Sequence, residues 1–112
     1  MKQKRIEKPW GYEIIWAQTK NYVGKLLHID AGHRLSKQYH EEKEETVYVI
    51  NGTLYNTDES GIVLKIECGD SFHVSPGQIH RFQALSGSVD FMEVSTDHLD
   101  DVVRLSDDYE RD

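Results

Sequence analysis

The sequence predicts an all-β protein, a single domain built as a barrel or a sandwich. Three observations support this prediction. Short segments rich in Val, Ile, Thr, Tyr and Phe recur along the chain, as expected of strands. Turn signals that contain glycine separate these segments at close, regular intervals, which is typical of barrels and sandwiches. A chain of 112 residues also has the length of one domain with one core.

The predicted strands follow one another closely as far as residue 95. They cover residues 12–17, 21–30, 34–40, 46–50, 53–57, 62–67, 71–74, 80–85 and 89–95. Asn51-Gly52 lies between two apolar runs and is a strong hairpin signal, so we expect residues 53–57 to return antiparallel to residues 46–50. A second turn is predicted at residues 58–61, which contain Asp, Ser and Gly.

The two ends of the chain lack this pattern. Residues 1–7 are predicted to form an N-terminal arm, and residues 97–112 a C-terminal tail. The Asp-rich stretch at residues 97–101 can cap one helical turn or lead into an edge strand, and the sequence leaves both open. The single domain is therefore expected to span residues 1–112.

The composition argues against several classes of function. A net charge of −7 at pH 7 is unlike that of a nucleic-acid-binding domain, which carries a basic stripe. No apolar stretch has the length of a membrane span, and the basic N-terminus lacks the apolar run of a signal peptide. We therefore expect a cytoplasmic protein with neither nucleic acid nor membrane as a partner. The lone cysteine, Cys68, allows no internal disulfide and no cysteine-rich zinc site.

Four side chains from two parts of the sequence predict a metal site. Alternation puts Gln38 and His40 on one face of a strand, and Glu45 opens the following strand. His80 opens another strand after a Pro-Gly turn. Imidazole, carboxylate and amide groups all bind borderline divalent ions, so zinc, manganese, iron, cobalt and nickel remain open.

A single histidine on such a strand would more simply be an exposed polar residue. Four potential ligands at two spaced motifs favour the metal site instead. Glu44 competes with Glu45 for the role of carboxylate ligand, and the spacing to Gly52 selects Glu45. Glu44 is then expected to be a solvated charge in the turn.

Four basic residues are candidates for contact with an anionic substrate: Lys25, Arg34, Arg81 and Arg104. Alternation places Arg34 on the ligand-facing side of its strand, whereas Arg81 should point the other way. Each can equally be a surface cation whose aliphatic stem lies along the protein. A local group of cations can attract an anion in spite of the negative net charge.

Both metal motifs resemble those of the cupin superfamily. The first cupin motif is matched by Gly32, Gln38, His40, Glu45 and Gly52, with Gln38 in the place of the usual first histidine. The second is matched by Gly69, Gly77 and His80, while Ser75 replaces a proline and Ala84 an asparagine. The resemblance implies a double-stranded β-helix, or jelly-roll barrel, with the metal inside. Because cupins commonly dimerise, we also expect a homodimer in which residues 1–16 take part.

A narrower resemblance extends over nearly the whole chain. The sequence looks like the cupin domain of type II mannose-6-phosphate isomerases, which often forms the C-terminal part of mannose-1-phosphate guanylyltransferases. The matching segments are Lys8-Pro9-Trp10-Gly11, Arg34-Leu35-Ser36, Pro76-Gly77, Ile79-His80-Arg81, residues 100–105 and 107–109, and Arg111. The sequence departs from the pattern at Thr46 and Val47, where His-Trp is usual, and at Glu110, where a glycine is expected.

This resemblance implies a metal-dependent aldose–ketose isomerase that acts on a sugar phosphate, with mannose 6-phosphate the first substrate to test and zinc the favoured ion. Lys25 matches a lysine typical of the family, and Arg34 is expected on the ligand-facing side of its strand. Both residues are therefore expected to act in catalysis. Both residues, together with Arg81 and Arg104, are expected to bind substrate. The alternatives are an isomerase for an unphosphorylated sugar, an oxygenase, and a sugar-binding module without turnover.

Overall fold

The computed structural model describes residues 2–111, and within them every regular element is a strand. The eleven strands are β1 (Lys4–Lys8), β2 (Gly11–Gln18), β3 (Val23–Ile29), β4 (Lys37–Tyr39), β5 (Glu45–Asn51), β6 (Thr53–Asp58), β7 (Val63–Glu67), β8 (Ser71–Val74), β9 (His80–Gln83), β10 (Val89–Ser95) and β11 (Val103–Ser106). This part of the chain forms no helix long and apolar enough to cross a membrane. The all-β prediction is confirmed.

The strands form two antiparallel sheets. One sheet has six strands in the order β1-β2-β3-β10-β5-β8, and the other has five in the order β11-β4-β9-β6-β7. Consecutive strands repeatedly fall in different sheets, as β3 and β4, β5 and β6, β8 and β9, and β9 and β10 do. The chain therefore winds back and forth between two layers, which is the arrangement of a jelly-roll barrel.

The interior is filled by the inward-facing residues of both sheets. Alternation along β5 buries Val47 and Val49 completely, and the same period buries Val89 and Phe91 on β10. Phe82, from the opposite sheet, packs against Phe91 at 5.7 Å between ring centroids and edge to face. This apolar cluster is the main core of the barrel.

The expected hairpin at Asn51-Gly52 is wrong. β5 pairs with β10 and β8, whereas the next strand, β6, pairs with β7 and β9 in the other sheet. Gly52 has a φ of +83° there, and a Cβ atom would lie 2.5 Å from the carbonyl oxygen of Ser88. The turn signal is real, but it marks a crossing between sheets, because turn residues specify local backbone angles and not the partner of the following strand.

Both ends of the chain are more regular than the sequence suggests. The expected arm at residues 1–7 is largely strand β1, which pairs with β2 at the edge of the six-stranded sheet; Met1 lies outside the described residues. In the tail, Val103–Ser106 forms β11 beside β4, which decides for the edge strand over the helical turn. Asp112 also lies outside the described residues.

Candidate metal centre

His40, Glu45 and His80 come from three places in the chain and meet inside the barrel. His40 directly follows β4, Glu45 begins β5, and His80 begins β9. Because Gln38 of β4 pairs with His80 of β9, the two histidines lie near each other, and the facing sheet brings Glu45 to them. The three side chains are at most 3% exposed, and one potential ligand atom from each lies within 4.8 Å of the other two.

Backbone carbonyl groups orient both imidazole rings. The Nδ1 atom of His40 lies 2.5 Å from the carbonyl oxygen of Asp101, and that of His80 lies 3.0 Å from the carbonyl oxygen of Gln78. Because a carbonyl oxygen can only accept a hydrogen bond, each Nδ1 carries a proton, and in the neutral ring each Nε2 then carries a lone pair. Both Nε2 atoms therefore present lone pairs to the interior.

These lone pairs face a carboxylate. The Nε2 atoms of His40 and His80 lie 3.2 and 3.4 Å from the same Glu45 oxygen, and within residues 2–111 Nε2 of His80 has no hydrogen-bond partner. A cation between them would satisfy three electron-pair donors that converge in a buried place. The group therefore fits a divalent metal ion, since two imidazole nitrogens and one carboxylate are a common set of protein ligands.

Gln38, the fourth predicted ligand, lies beside this group and lines the same cavity. The Ser36 hydroxyl donates a hydrogen bond of 2.6 Å to the carboxamide oxygen of Gln38 and so fixes its position. A carbonyl oxygen has two lone pairs, so this oxygen can still accept another partner. The donor atoms do not by themselves select one metal.

Two further buried charges surround Glu45. The Lys43 ammonium lies 3.1 Å from Glu93 and 3.7 Å from Glu45. Burial and the neighbouring Glu45 carboxylate raise the pKa of Glu93 to about 8, so Glu93 is mostly protonated at neutral pH. Burial opposes ionisation of Glu45 as well, but the hydrogen bond from Glu93 and the charge of Lys43 help to hold the pKa of Glu45 well below its usual value. Glu45 therefore remains anionic.

His40 and Glu45 border a cavity of about 110 Å³ at one end of the barrel. Among the described residues, five basic and four acidic side chains line it: Lys8, Lys25, Lys43, Arg104 and Arg111, with Glu13, Glu45, Glu93 and Asp101. With Glu93 protonated, the cations outnumber the anions even without a metal ion. This end of the interior can therefore hold an anionic group although the chain as a whole is acidic.

The structure separates the four basic residues proposed from the sequence. Lys25 and Arg104 line the cavity, and the Lys25 ammonium lies 3.5 Å from Glu13. Arg34 lies outside the cavity, where its guanidinium group holds Asp108 through two hydrogen bonds of 2.7 and 2.9 Å. Arg81 is buried and binds the same Asp108 carboxylate at 3.0 Å.

The structure does not bring Arg34 to the ligand-facing side as alternation suggested. β4 begins only at Lys37, and Arg34 makes an isolated bridge with Gln83, so no continuous strand connects it to His40. Glu45 belongs to the buried group, whereas Glu44 is exposed and pairs with His73 at 2.6 Å.

Among the charged residues of the cavity that were missed in the sequence, three are buried: Glu13, Lys43 and Glu93. A signal for Glu93 was available, since it occupies the inward parity of β10 two residues after the buried Phe91. The same holds for Glu13, two residues before the buried Ile15 on β2. Lys43 carried no such signal, because it lies in a charged turn that appears solvated in sequence and is 5% exposed in the structure.

Solved structures with the same fold are numerous. KdgF from Halomonas sp. has a TM-score of 0.76 at 20% identity over 89% of this chain and 89% of that chain. An uncharacterised protein with a double-stranded β-helix domain from Klebsiella pneumoniae has a TM-score of 0.73 at 20% identity over 90% and 84%. A cupin-superfamily sugar phosphate isomerase from Silicibacter pomeroyi has a TM-score of 0.69 at 21% identity over 78% and 59%. At these identities the likeness shows the shared cupin fold.

Sequence comparison is more specific. No curated protein matches the chain. The family model described as "Mannose-6-phosphate isomerase C-terminal" matches residues 1–107, which is nearly the whole sequence. Together with the cupin fold and the buried His-Glu-His group, this match shows that the chain belongs to the mannose-6-phosphate isomerase C-terminal family of the cupin superfamily.

Proposed function

We propose that the protein is a metal-dependent aldose–ketose isomerase that acts on a sugar phosphate, with mannose 6-phosphate as the first substrate to test. The observation that carries the proposal is the buried group of His40, Glu45 and His80 at the wall of a cation-rich cavity. A divalent site supplies the electrophile for this reaction, and the surplus of cations suits a phosphorylated substrate. Family membership makes a sugar phosphate the first choice.

In this proposal His40, Glu45 and His80 hold the ion, with Gln38 as an additional oxygen ligand and zinc as the favoured metal. When bound, a divalent ion supplies Lewis-acid chemistry that polarises a carbonyl group and stabilises negative charge. The carbonyl groups of Asp101 and Gln78 keep the two imidazole rings in the orientation that exposes Nε2. The site is thus oriented before substrate arrives.

The substrate phosphate is assigned to the basic residues of the cavity, Lys25 and Arg104. Both line the cavity together with Gln38 and His40, whereas Arg34 and Arg81 are bound to Asp108 outside it. Phosphate oxygens accept strong charge-assisted hydrogen bonds from ammonium and guanidinium groups. We therefore keep Lys25 and Arg104 as substrate-binding residues and do not assign Arg34 a contact with the reacting atoms.

Isomerisation moves a proton between neighbouring carbon atoms, so a group on the cavity wall has to accept and return it. Lys25 and Glu93 are the two candidates, each in its deprotonated form, and they lie opposite each other on the neighbouring strands β3 and β10. Lys25→Met and Glu93→Gln distinguish them. The variant that removes the proton carrier should lose kcat, whereas a variant that removes only a substrate contact should raise KM.

The proposal is tested by incubating metal-loaded protein with mannose 6-phosphate in heavy water and following fructose 6-phosphate by NMR. We expect conversion with deuterium incorporated at C2 or C1, and we expect it to stop with a chelator and in His40→Ala. The matched control is His98→Ala, a surface histidine paired with Glu42 at 3.5 Å. If the protein has metal bound and shows neither conversion nor deuterium exchange, the isomerase proposal is refuted.

A second function is favoured by the donor set. An amide oxygen in the place of one imidazole makes the ligands richer in oxygen, which also suits manganese or iron. A cupin oxygenase acting on another small molecule would then consume oxygen when supplied with its substrate. An isomerase for an unphosphorylated sugar would turn over mannose itself, and a binding module would show affinity without turnover.

We also propose that the protein is a homodimer in which the segment 1–16 takes part. β1 is an edge strand without a further neighbour among the described residues, and Trp16 is 38% exposed. Deleting the segment would remove Trp10 from the core, so Trp16→Glu is the sharper variant. Light scattering should show a shift toward monomer for Trp16→Glu and none for Tyr22→Glu, while an unchanged dimer would remove Trp16 from the interface.

A further inference from the structure

The C-terminal tail returns to the turn between two of the metal-site residues and is fastened there by Asp101. One carboxylate oxygen of Asp101 accepts the backbone N–H of Glu41 at 3.0 Å. The other accepts the N–H groups of Glu42 and Lys43 at 2.8 and 2.9 Å. The backbone carbonyl of the same residue accepts the Nδ1–H of His40 at 2.5 Å.

We infer that Asp101 is the positioning residue of the metal centre: its carboxylate fixes the turn between His40 and Glu45, and its carbonyl fixes the His40 ring. This inference rests on the metal site proposed above and adds a residue to it. Asp101 acts through His40 and touches neither the ion nor the substrate in this scheme. Because Asp101 makes both contacts, the position of the His40 ring is fixed relative to the turn.

The turn matters because it sets the distance between two ligands. His40 and Glu45 are separated by only four residues, and three of these donate their N–H groups to Asp101. The third of them, Lys43, places its ammonium group between Glu45 and Glu93. If the turn relaxed, the His40 ring, the Glu45 carboxylate and the Lys43 cation would move independently. A ligand site is sensitive to such changes, since loss of an outer-shell partner weakens metal binding by about 10–100-fold.

The test compares the full-length wild type with Asp101→Ala, Asp101→Asn and Asp100→Ala, using zinc or cobalt(II) titrated into the metal-free proteins. Asp101→Ala removes all three acceptor contacts of the carboxylate, and we expect its metal Kd to rise by about 10–100-fold. Asp101→Asn keeps one acceptor oxygen, so its metal Kd should lie between those of Asp101→Ala and the wild type. Asp100→Ala removes the same charge from the exposed neighbouring residue and should bind like the wild type.

The tautomer of the His40 ring distinguishes a positioning role of Asp101 from a purely structural role. Nitrogen NMR of the metal-free proteins reports which imidazole nitrogen carries the proton. We expect one Nδ1–H form in the wild type and in Asp100→Ala, and a mixture of tautomers in Asp101→Ala. A residue that only stabilises the fold would lower the melting temperature and leave this spectrum unchanged.

Two outcomes overturn the inference: wild-type metal affinity in Asp101→Ala, or an unchanged His40 tautomer in the metal-free variant. If Asp101→Ala does not fold, Asp101→Asn decides in the same two measurements. If the wild type binds no metal at all, the proposed function is wrong. The tautomer of His40 then decides separately whether Asp101 positions the ring.

Discussion

The two ends of the barrel interior are lined by the same strands but by opposite chemistry. On β10, Phe91 is completely buried in the apolar core, and Glu93, two residues later on the same face, lines the cavity. On β3, Leu27 and Lys25 repeat this change, and the register pairs Phe91 with Leu27 and Glu93 with Lys25. The change from apolar to charged residues therefore occurs at the same level on neighbouring strands.

The comparison shows how one small barrel separates stability from binding. At the apolar end, burial stabilises each side chain without a specific partner, in proportion to the area removed from water. At the charged end, each buried charge costs free energy unless it is paired, so Lys25 pairs with Glu13 and Lys43 pairs with Glu45, while the protonated Glu93 lies 3.1 Å from the Lys43 ammonium. We therefore expect substitutions at the first end to change folding, and substitutions at the second to change metal and substrate binding.

The largest effect is expected at the apolar end. Phe91→Ala should lower the free energy of unfolding by about 3–5 kcal/mol, because it leaves a cavity among fully packed side chains. Chemical denaturation measures this loss. Met92→Ala, on the other face of the same strand and only half-buried, is the matched control and should cost much less. If the folded fraction of the Phe91→Ala variant also bound metal more weakly than the wild type, the separation of the two ends would be wrong.

The second effect tests the charged end. The double variant His40→Ala, His80→Ala should lose metal affinity by more than roughly 100-fold, since even outer-shell partners contribute about 10–100-fold. The barrel should stay folded, because the apolar core is untouched. Elemental analysis and circular dichroism check the two parts, with His73→Ala as the surface control. Stoichiometric metal in the double variant would contradict the ligand assignment.

A smaller effect compares two cations inside and outside the cavity. Lys25→Met should weaken binding of the sugar phosphate by about 10-fold, the range of one charge-assisted hydrogen bond. Arg34→Met should change it little, because Arg81 still holds Asp108 and so keeps the tail in place. Calorimetric titration of both variants with the sugar phosphate measures the two losses of affinity. Equal losses would return Arg34 to the substrate site.

The smallest effect concerns the tail that borders the charged end. The hydrogen bonds from Arg111 lower the pKa of Asp107 to about 2, below its unfolded value of about 4. A lowered pKa means that the contact stabilises the tail fully above about pH 4 and is lost as the pH falls through about 2. NMR of the Tyr109 ring in metal-free protein should follow this release.

The control for this pH dependence is Arg111→Gln. Without the guanidinium group, the pKa of Asp107 should return toward about 4, so the release of the tail should move to higher pH. A release that occurs at the same pH in both proteins would show that another group controls the tail.

The sequence by itself determined the all-β class and most strand positions, and it indicated the residues of the candidate metal centre. These residues could be indicated because alternation and motif spacing are local properties: Gln38 and His40 share a face, Glu45 begins β5, and His80 begins β9. The residue two positions after Phe91 followed the same rule, so Glu93 was within reach of sequence reasoning. The face of a strand on which a residue lies depends on its position along the strand and not on the partner strand. It can therefore be predicted from the sequence alone.

Tertiary structure alone decided the sheet to which each strand belongs and the surroundings of each charge. Asn51-Gly52 has the same local geometry whether the next strand stays in the sheet or crosses to the other, so the expected hairpin could not be excluded. Arg34 and Arg104 are both basic residues near strands, yet only Arg104 lines the cavity, because the tail brings Asp108 to Arg34 across 74 residues of sequence. Contacts between distant segments depend on how the sheets close around one another, and no local pattern encodes that closure.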